Sequence, residues 1–189
     1  MSAGGSLACA PASPSLPQVV ASPDTAESGQ KGVRVVELAP CIPRSYEVCG
    51  NALDDNCNGA LEEGCGLLGG VVQFMISWDA RRADVDLDVT EPEGELIEVG
   101  KISSSGLIKV RDCPGRHDEC QGQNLENVFL DGAHAPVRGS YRVLVRLEAL
   151  GGETVPVWVR LSSRIGGKSH AYELGFEREE QETALTFSL

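Results

Sequence analysis

Residues 53–65 hold the side chains best suited to chemistry in this chain of 189 residues. Asp54, Asn56 and Asn58 alternate along the sequence, and Gly59 follows directly. Alternating oxygen ligands ahead of a glycine are how a short loop wraps a hard cation, because the glycine permits a sharp turn. The pattern favours Ca²⁺ over transition metals, because the ligands are oxygens and no histidine lies among them.

The predicted ligand set continues beyond the glycine. The carbonyl oxygen of Ala60 and a carboxylate from Glu62 or Glu63 would complete the coordination shell. Position twelve of an EF-hand count is Cys65, so the loop is not an EF-hand. The alternative interpretation is a solvated acidic turn, in which Asp and Asn serve the turn geometry. We favour calcium, because the clustered carboxylates repel one another unless a cation neutralises them.

Cysteines surround this loop at regular intervals. Four of the seven recur at every eighth residue, and two more enclose a polar loop. The six are Cys41, Cys49, Cys57, Cys65, Cys113 and Cys120. The first four lie in a segment with few large apolar side chains, so disulfides or a metal must stabilise it. The lack of histidine and of a CxxC pair there favours disulfides over zinc, and disulfides indicate an oxidising compartment. Four cysteines allow three connectivities, which the sequence does not rank, whereas Cys113 and Cys120 are predicted to pair. Free thiols, with or without zinc, are the alternative.

The seventh cysteine, Cys9, lies near the N-terminus. Residues 6–9 are similar to the end of a lipoprotein signal sequence, although Ser6 stands where an aliphatic residue is usual. Residues 1–32 are rich in Ala, Ser, Pro and Gly, a composition typical of a flexible tether. We hypothesise a lipid anchor at Cys9, the one membrane attachment that the sequence predicts. The alternative is a disordered tail with an incidental cysteine.

The elements that must position these groups are predicted to be β-strands. Residues 33–38 form a strand or a lead-in to the Cys-rich metal-binding motif, which we place within residues 33–68. From residue 69 to 189 the pattern changes to short strands separated by Gly-rich turns, with no helix. This predicts an all-β fold, an antiparallel β-sandwich preceded by the small disulfide-stapled loop. The predicted sandwich strands cover residues 71–78, 84–89, 95–101, 106–111, 125–130, 139–147, 154–161, 170–176 and 183–189. Pro156 predicts an edge position or a bulge.

A second acidic cluster is predicted on the sandwich. Asp84 and Asp86 share one face of a strand, which is costly without a counter-ion. They could converge with Asp112 and with Glu126 or Asn127 on a second cation. The alternative is a solvated charged face with two arginines close at hand.

Residues 47–65, Glu-Val-Cys-Gly-Asn-Ala-Leu-Asp-Asp-Asn-Cys-Asn-Gly-Ala-Leu-Glu-Glu-Gly-Cys, resemble the metal-binding repeat named after the bacterial surface protein MopE. Asn56, Asn58 and Glu62 replace residues that are mostly Asp in that repeat. The resemblance implies an extracellular bacterial protein. It also implies an association with copper, which the oxygen ligands here do not favour.

Residues 71–189 resemble the YfaP-like domain of bacterial exported proteins, and the likeness is clearest up to about residue 161. It is carried by Trp78, by the Asp-Val-Asp-Leu run at 84–87 and by the Glu-Pro-Glu-Gly turn at 91–94. Further matches are Ser103 to Gly106, Asp112, Glu126 with Asn127, and Gly139 to Tyr141. The resemblance implies a β-sandwich without established chemistry.

Composition and missing motifs restrict the function further. The net charge of −12 opposes nucleic-acid binding, because it offers no basic surface to phosphates. No nucleophile elbow, phosphate loop or zinc-protease motif occurs. The histidines at 117, 134 and 170 have no adjacent nucleophile. We therefore predict a non-catalytic module, secreted or held in the outer envelope as a lipoprotein, that binds a protein or glycan at the cell surface. The alternatives are a carbohydrate-binding module, which needs exposed aromatics on one sheet face, and a small hydrolase using the acidic patch.

Overall fold

The computed structural model describes residues 21–23, 32–113, 120, 122–130 and 132–189. Its strands are β1 (Ala21–Pro23), β2 (Arg34–Glu37), β3 (Val72–Trp78), β4 (Asp84–Thr90), β5 (Leu107–Lys109), β6 (Leu125–Leu130), β7 (Ser140–Ala149), β8 (Val157–Ile165), β9 (Lys168–Phe176) and β10 (Gln181–Ser188). They form two packed antiparallel sheets, ordered β1-β10-β7-β4 and β2-β9-β8-β3-β6-β5, and the described residues contain no helix. The predicted all-β sandwich is confirmed.

The alternating strand β4 shows how the sequence builds this core. Val85, Leu87 and Val89 are fully buried, whereas the aspartates that alternate with them, Asp84, Asp86 and Asp88, are only partly buried. Period-two alternation places one set of side chains between the sheets and the other set towards solvent. Each fully buried aliphatic side chain of this kind stabilises the fold by about 1.5–3 kcal/mol.

Strand β3 is buried on both of its faces, which explains its continuous apolar sequence. Phe74 and Ile76 point into the main core between the sheets. Met75 points to the opposite face, where it packs with Ala52 and Leu61. Since those two residues belong to the Cys-rich segment 41–65, here called the cysteine module, this module lies as a third layer on the outer face of the six-stranded sheet.

Tyr141, near the start of β7, fixes the loop that enters this strand. Its hydroxyl donates a 2.6 Å hydrogen bond to the carbonyl of Val137, four residues upstream. Its ring packs against Phe74, with 5.9 Å between the ring centroids. A tyrosine that bonds back to the preceding backbone in this way is a feature of immunoglobulin-like sandwiches.

Two strand predictions need correction. Residues 95–101 do not form the return strand of a hairpin, and only isolated bridges join this stretch to its neighbours. Pro156 marks neither an edge nor a bulge, because β8 lies between β9 and β3 and begins one residue later. Proline has no backbone N–H to donate to a neighbouring strand. Because Pro156 precedes the first residue of β8, the hydrogen bonds of that strand are not interrupted. Strand β1, which lies within residues 1–32, pairs with β10.

Trp158 differs in its exposure from the other large aromatic side chains of the sandwich. Trp78, Tyr141 and Tyr172 are buried, whereas Trp158 is 39% exposed on the outer face of β8. Its indole lies across Gly175 on β9, where a side chain larger than hydrogen would overlap the ring.

Candidate calcium loop and a buried ion pair

Two interleaved disulfides staple the cysteine module. Cys41 pairs with Cys57, and Cys49 pairs with Cys65, each across 16 residues. The sequence left this connectivity open. The third predicted bridge, between Cys113 and Cys120, is confirmed. Disulfides of this density indicate an oxidising environment.

The module's backbone is tightly wound. Three of the four described non-glycine residues with positive φ lie in it, namely Ala52, Cys57 and Glu62. Each such residue costs about 1–3 kcal/mol and persists only where its surroundings hold it. The disulfides supply part of that restraint.

Glu62 also restrains the backbone of the module, because it is the central hydrogen-bond acceptor there. Its fully buried carboxylate accepts backbone N–H bonds of 2.7–2.8 Å from Gly50, Asn51 and Ala52. Burial raises the pKa of Glu62, against the opposing effect of these three donors. Of the two carboxylates predicted to close a calcium shell, Glu62 is thus already bound to the backbone.

The alternating ligands Asp54, Asn56 and Asn58 are held in a defined orientation by the loop itself. The carboxylate of Asp54 accepts backbone N–H bonds from Asn58 and Gly59 at 3.0 and 2.9 Å. The amide oxygen of Asn56 accepts from Asn58, and that of Asn58 accepts from Ala60, at 3.0 and 2.8 Å. Asp54 Oδ1 and the two amide oxygens each accept one such bond, so each retains a lone pair for a further partner.

Glu63 is the point on which the loop converges. The side-chain amides of Asn56 and Asn58 both contact its Oε1 atom. Its Oε2 atom is buried without a hydrogen-bond partner, and so is Oε2 of nearby Glu47. A buried carboxylate oxygen without a partner costs free energy, because its hydration is lost and nothing replaces it. Residues 54–63, here called the calcium loop, therefore offer a cation both ligands and an electrostatic reason to bind.

The β8–β9 hairpin contacts the calcium loop and the residues just before it. Ser169 donates a 2.6 Å hydrogen bond to Asp54, and Ser162 donates to the carbonyl of Ala52. Gly59 lies so close to Gly167 that an added Cβ atom would overlap the Gly167 carbonyl. No local sequence pattern indicates these contacts, since more than a hundred residues separate the partners.

We expect Gly59→Ala to lower the free energy of unfolding by about 1–3 kcal/mol, because φ is +83° and the methyl group meets backbone. Gly64→Ala is the matched control: its φ is +81°, but its Cβ position is open. Urea unfolding of both variants separates the two causes. Equal losses would contradict the close packing of the loop against the hairpin.

The second predicted cluster is partly assembled. Oxygen atoms of Asp86, Asp112 and Glu126 lie within 4.8 Å of one another. Lys109 was missed by the sequence analysis, yet its Nζ lies 2.9 Å from Glu126 and 3.9 Å from Asp112. Its ammonium group supplies the positive charge that a second cation was predicted to bring. The signal that could have found it is the position of Lys109 in β5, two residues after the buried Leu107 and therefore on the same inward face.

The remaining ligands predicted for this cluster lie in different surroundings. Asn127 is the neighbour of Glu126 on β6 and so faces the opposite side, where it bonds to Gln73 and to the Leu68 carbonyl. Asp84 is partly buried, and burial followed by repulsion from Asp86 and Asp112 raises its pKa.

Burial and the attraction between Lys109 and Glu126 act against each other in the ion pair, with burial the larger effect on the pKa of Glu126. Burial raises the pKa of Glu126 to about 8, even though Lys109 and the backbone N–H of Leu87 favour the charged form. Burial acts in the opposite direction on Lys109, but the attraction of Glu126 and then Asp112 outweighs it and raises the pKa of that ammonium. The result is a tightly coupled buried pair between the two sheets.

Other predicted features have mixed outcomes. Cys9 and His117 lie outside the described residues. His170 lies 3.6 Å from Glu37. Trp158 presents an exposed indole, but Arg34 already lies over it at 5.6 Å. Within the part of the chain that is described, no helix reaches the length and apolarity that a membrane crossing requires.

Comparison with protein-family models, curated proteins and solved structures returns no match to this chain.

Proposed function

We propose that this chain is a non-catalytic binding module of a bacterial exported protein, stabilised by disulfides and by one calcium ion in the calcium loop. The observation that carries the proposal is the convergence of Asn56 and Asn58 on Glu63, next to two buried carboxylate oxygens without partners. The disulfides and the resemblance to the MopE-type repeat support an extracellular setting. Secretion or lipidation at Cys9 belongs to the same proposal.

Calcium would be held mainly by Asp54, Asn56, Asn58, the Ala60 carbonyl and Glu63. In the structure the two amides donate to Glu63 through their nitrogens. Turning each amide about its last torsion would bring its oxygen beside the Glu63 carboxylate, at the cost of the backbone hydrogen bonds that the two amide oxygens accept in the structure. A cation there would replace two N–H donors and would partner the buried Oε2 atom. Oxygen donors of this kind suit Ca²⁺, and copper would require softer or nitrogenous ligands.

Calcium is expected to raise the free energy of unfolding by RT ln(1 + [L]/Kd), which is about 2.7 kcal/mol at a hundredfold excess over Kd. The melting temperature should rise as a result. Thermal unfolding in calcium, in magnesium and in EDTA measures this. Magnesium should act more weakly, because it requires stricter octahedral geometry. Identical melting curves in calcium and EDTA would remove the metal from the proposal.

The binding role is preferred to a hydrolytic one because the most perturbed acid, Glu126, is fully buried and bonded to Lys109. A general acid must reach its substrate, and a group in this position cannot. Among the described residues, the glycan alternative rests on two exposed aromatic side chains. Trp158 lies on a sheet face and is already covered in part by Arg34, whereas Tyr46 lies in the cysteine module. A glycan array screened with the protein and with Trp158→Ala tests that alternative directly.

A further inference from the structure

A cavity of about 810 Å³ lies between the cysteine module and the outer face of β9. The module contributes Ile42, Leu53 and Leu61 to its walls, the segment after β2 contributes Leu38, and β9 contributes Ala171. This volume is in the range of sites that take a drug-sized ligand or several side chains.

The interior of this cavity is aliphatic. No aromatic side chain is among the described residues that line it, so it lacks the ring platform on which a sugar stacks. The polar groups that line it already have partners: Ser169 bonds to Asp54, and the exposed Arg44 lies 3.6 Å from the buried Asp55. The surface left for a ligand is therefore mainly apolar, which selects aliphatic groups.

The cavity adjoins an open sheet edge. Strand β2 is outermost in the six-stranded sheet, and among the described residues it pairs only with β9. Its last residue, Glu37, and the next, Leu38, line the cavity mouth. An edge strand beside an apolar pocket is the arrangement to which an extended peptide adds as a further strand, placing alternate side chains in the pocket.

The charges around the mouth select the partner further. The Glu37 side chain is 62% exposed, and its described ion-pair partner is His170, at 3.6 Å. The chain as a whole carries a net charge of −12. A partner with lysine or arginine next to its aliphatic residues is complementary to both features.

We infer that this cavity binds an extended peptide segment of another protein, with aliphatic side chains in the cavity and a basic residue beside Glu37. The inference rests on the proposed function, because it specifies the partner of the same binding module. The calcium loop forms one wall of the cavity through Asp54 and Leu61, so both sites share a boundary.

The test is selection from a phage-displayed heptapeptide library on the full chain in calcium, followed by fluorescence polarisation with the selected peptides. We expect enrichment of peptides that combine aliphatic and basic residues. Ile42→Ser and Ala171→Phe should each weaken their binding by about tenfold or more, because one removes contact area and the other fills the cavity. Ile42 is 84% exposed, so its replacement should leave the fold intact. Leu96→Ser, at a half-exposed residue outside the cavity, is the matched control and should bind like the unaltered chain.

The inference is overturned if no sequence is enriched, or if the selected peptides bind Ile42→Ser and Ala171→Phe as they bind the unaltered chain. It is also overturned if the chain self-associates and Ile42→Ser abolishes this, since the occupant is then a second copy. Calcium titration without peptide keeps the two proposals separate. Calcium binding without peptide enrichment defeats only this inference, whereas cavity-dependent peptide binding without calcium binding defeats only the metal site.

Discussion

Lys109→Met is expected to lower the free energy of unfolding by about 3–5 kcal/mol at neutral pH, which is the usual cost of breaking a buried ion pair. The ammonium group lies 2.9 Å from the fully buried Glu126 and is itself buried. Without it, Glu126 stays in the interior beside Asp86 and Asp112 with no positive partner. Urea unfolding measures the loss.

The loss should shrink as the pH is lowered. The pKa values of Asp86 and Glu126 are raised in the folded protein, chiefly by burial, and removing Lys109 raises them further. A folded state that binds more protons than the unfolded state becomes more stable on acidification. Here the gain begins near pH 8, the raised pKa of Glu126, and is complete at the ordinary pKa of a carboxyl group. The Lys109→Met variant should therefore recover stability near pH 5 relative to the unaltered chain.

Lys101→Met is the matched control for this variant. Lys101 is exposed and pairs with the exposed Glu98, so its loss should cost less than about 1 kcal/mol. If Lys109→Met unfolds at the same urea concentration as Lys101→Met, the lysine does not neutralise the cluster. If calcium restores the stability of Lys109→Met but not that of Lys101→Met, the carboxylates that Lys109 no longer neutralises accept a cation.

Replacing Cys49 and Cys65 together by serine is expected to cost about 3 kcal/mol, the chain-entropy contribution of a loop of this length. The 16-residue loop encloses the left-handed residues Ala52, Cys57 and Glu62, whose strain the bridge helps to hold. We expect this variant also to lose calcium binding, because the loop no longer presents its ligands in one geometry. Thermal unfolding and calcium titration check the two effects.

The bridge between Cys113 and Cys120 provides the comparison. It closes a span of 7 residues in a different part of the fold, so its loss should cost about 2 kcal/mol. Calcium affinity should not change in that variant. Equal loss of calcium affinity in both variants would contradict a separate calcium loop and would indicate a general effect of unfolding.

The sequence predicted the features that depend on local periodicity. The alternation of Val85, Leu87 and Val89 is enough to assign β4 and its buried face, since period two is a direct consequence of strand geometry. The spacing of the cysteines likewise predicted a stapled segment. In each case the information lies within a few residues of the element concerned.

Long-range contacts were beyond this approach. The docking of the module depends on Ser162 and Ser169, which lie more than a hundred residues from their partners. The role of Lys109 depends on which side chains meet between the sheets, and no local pattern reports that. Residues 95–101 looked like a strand because they carry Leu96, Val99 and other apolar side chains, yet both residues are about half exposed. Composition alone does not separate an edge bridge from a paired strand.

Calcium binding by isothermal titration calorimetry tests the central claim most directly. The oxidised chain should bind one calcium ion, and Glu63→Gln should weaken that binding at least about tenfold, because it removes the carboxylate on which Asn56 and Asn58 converge. Glu93→Gln, at an exposed turn residue, should leave it unchanged. No heat of binding in the unaltered chain, or equal affinity in Glu63→Gln, would contradict the account.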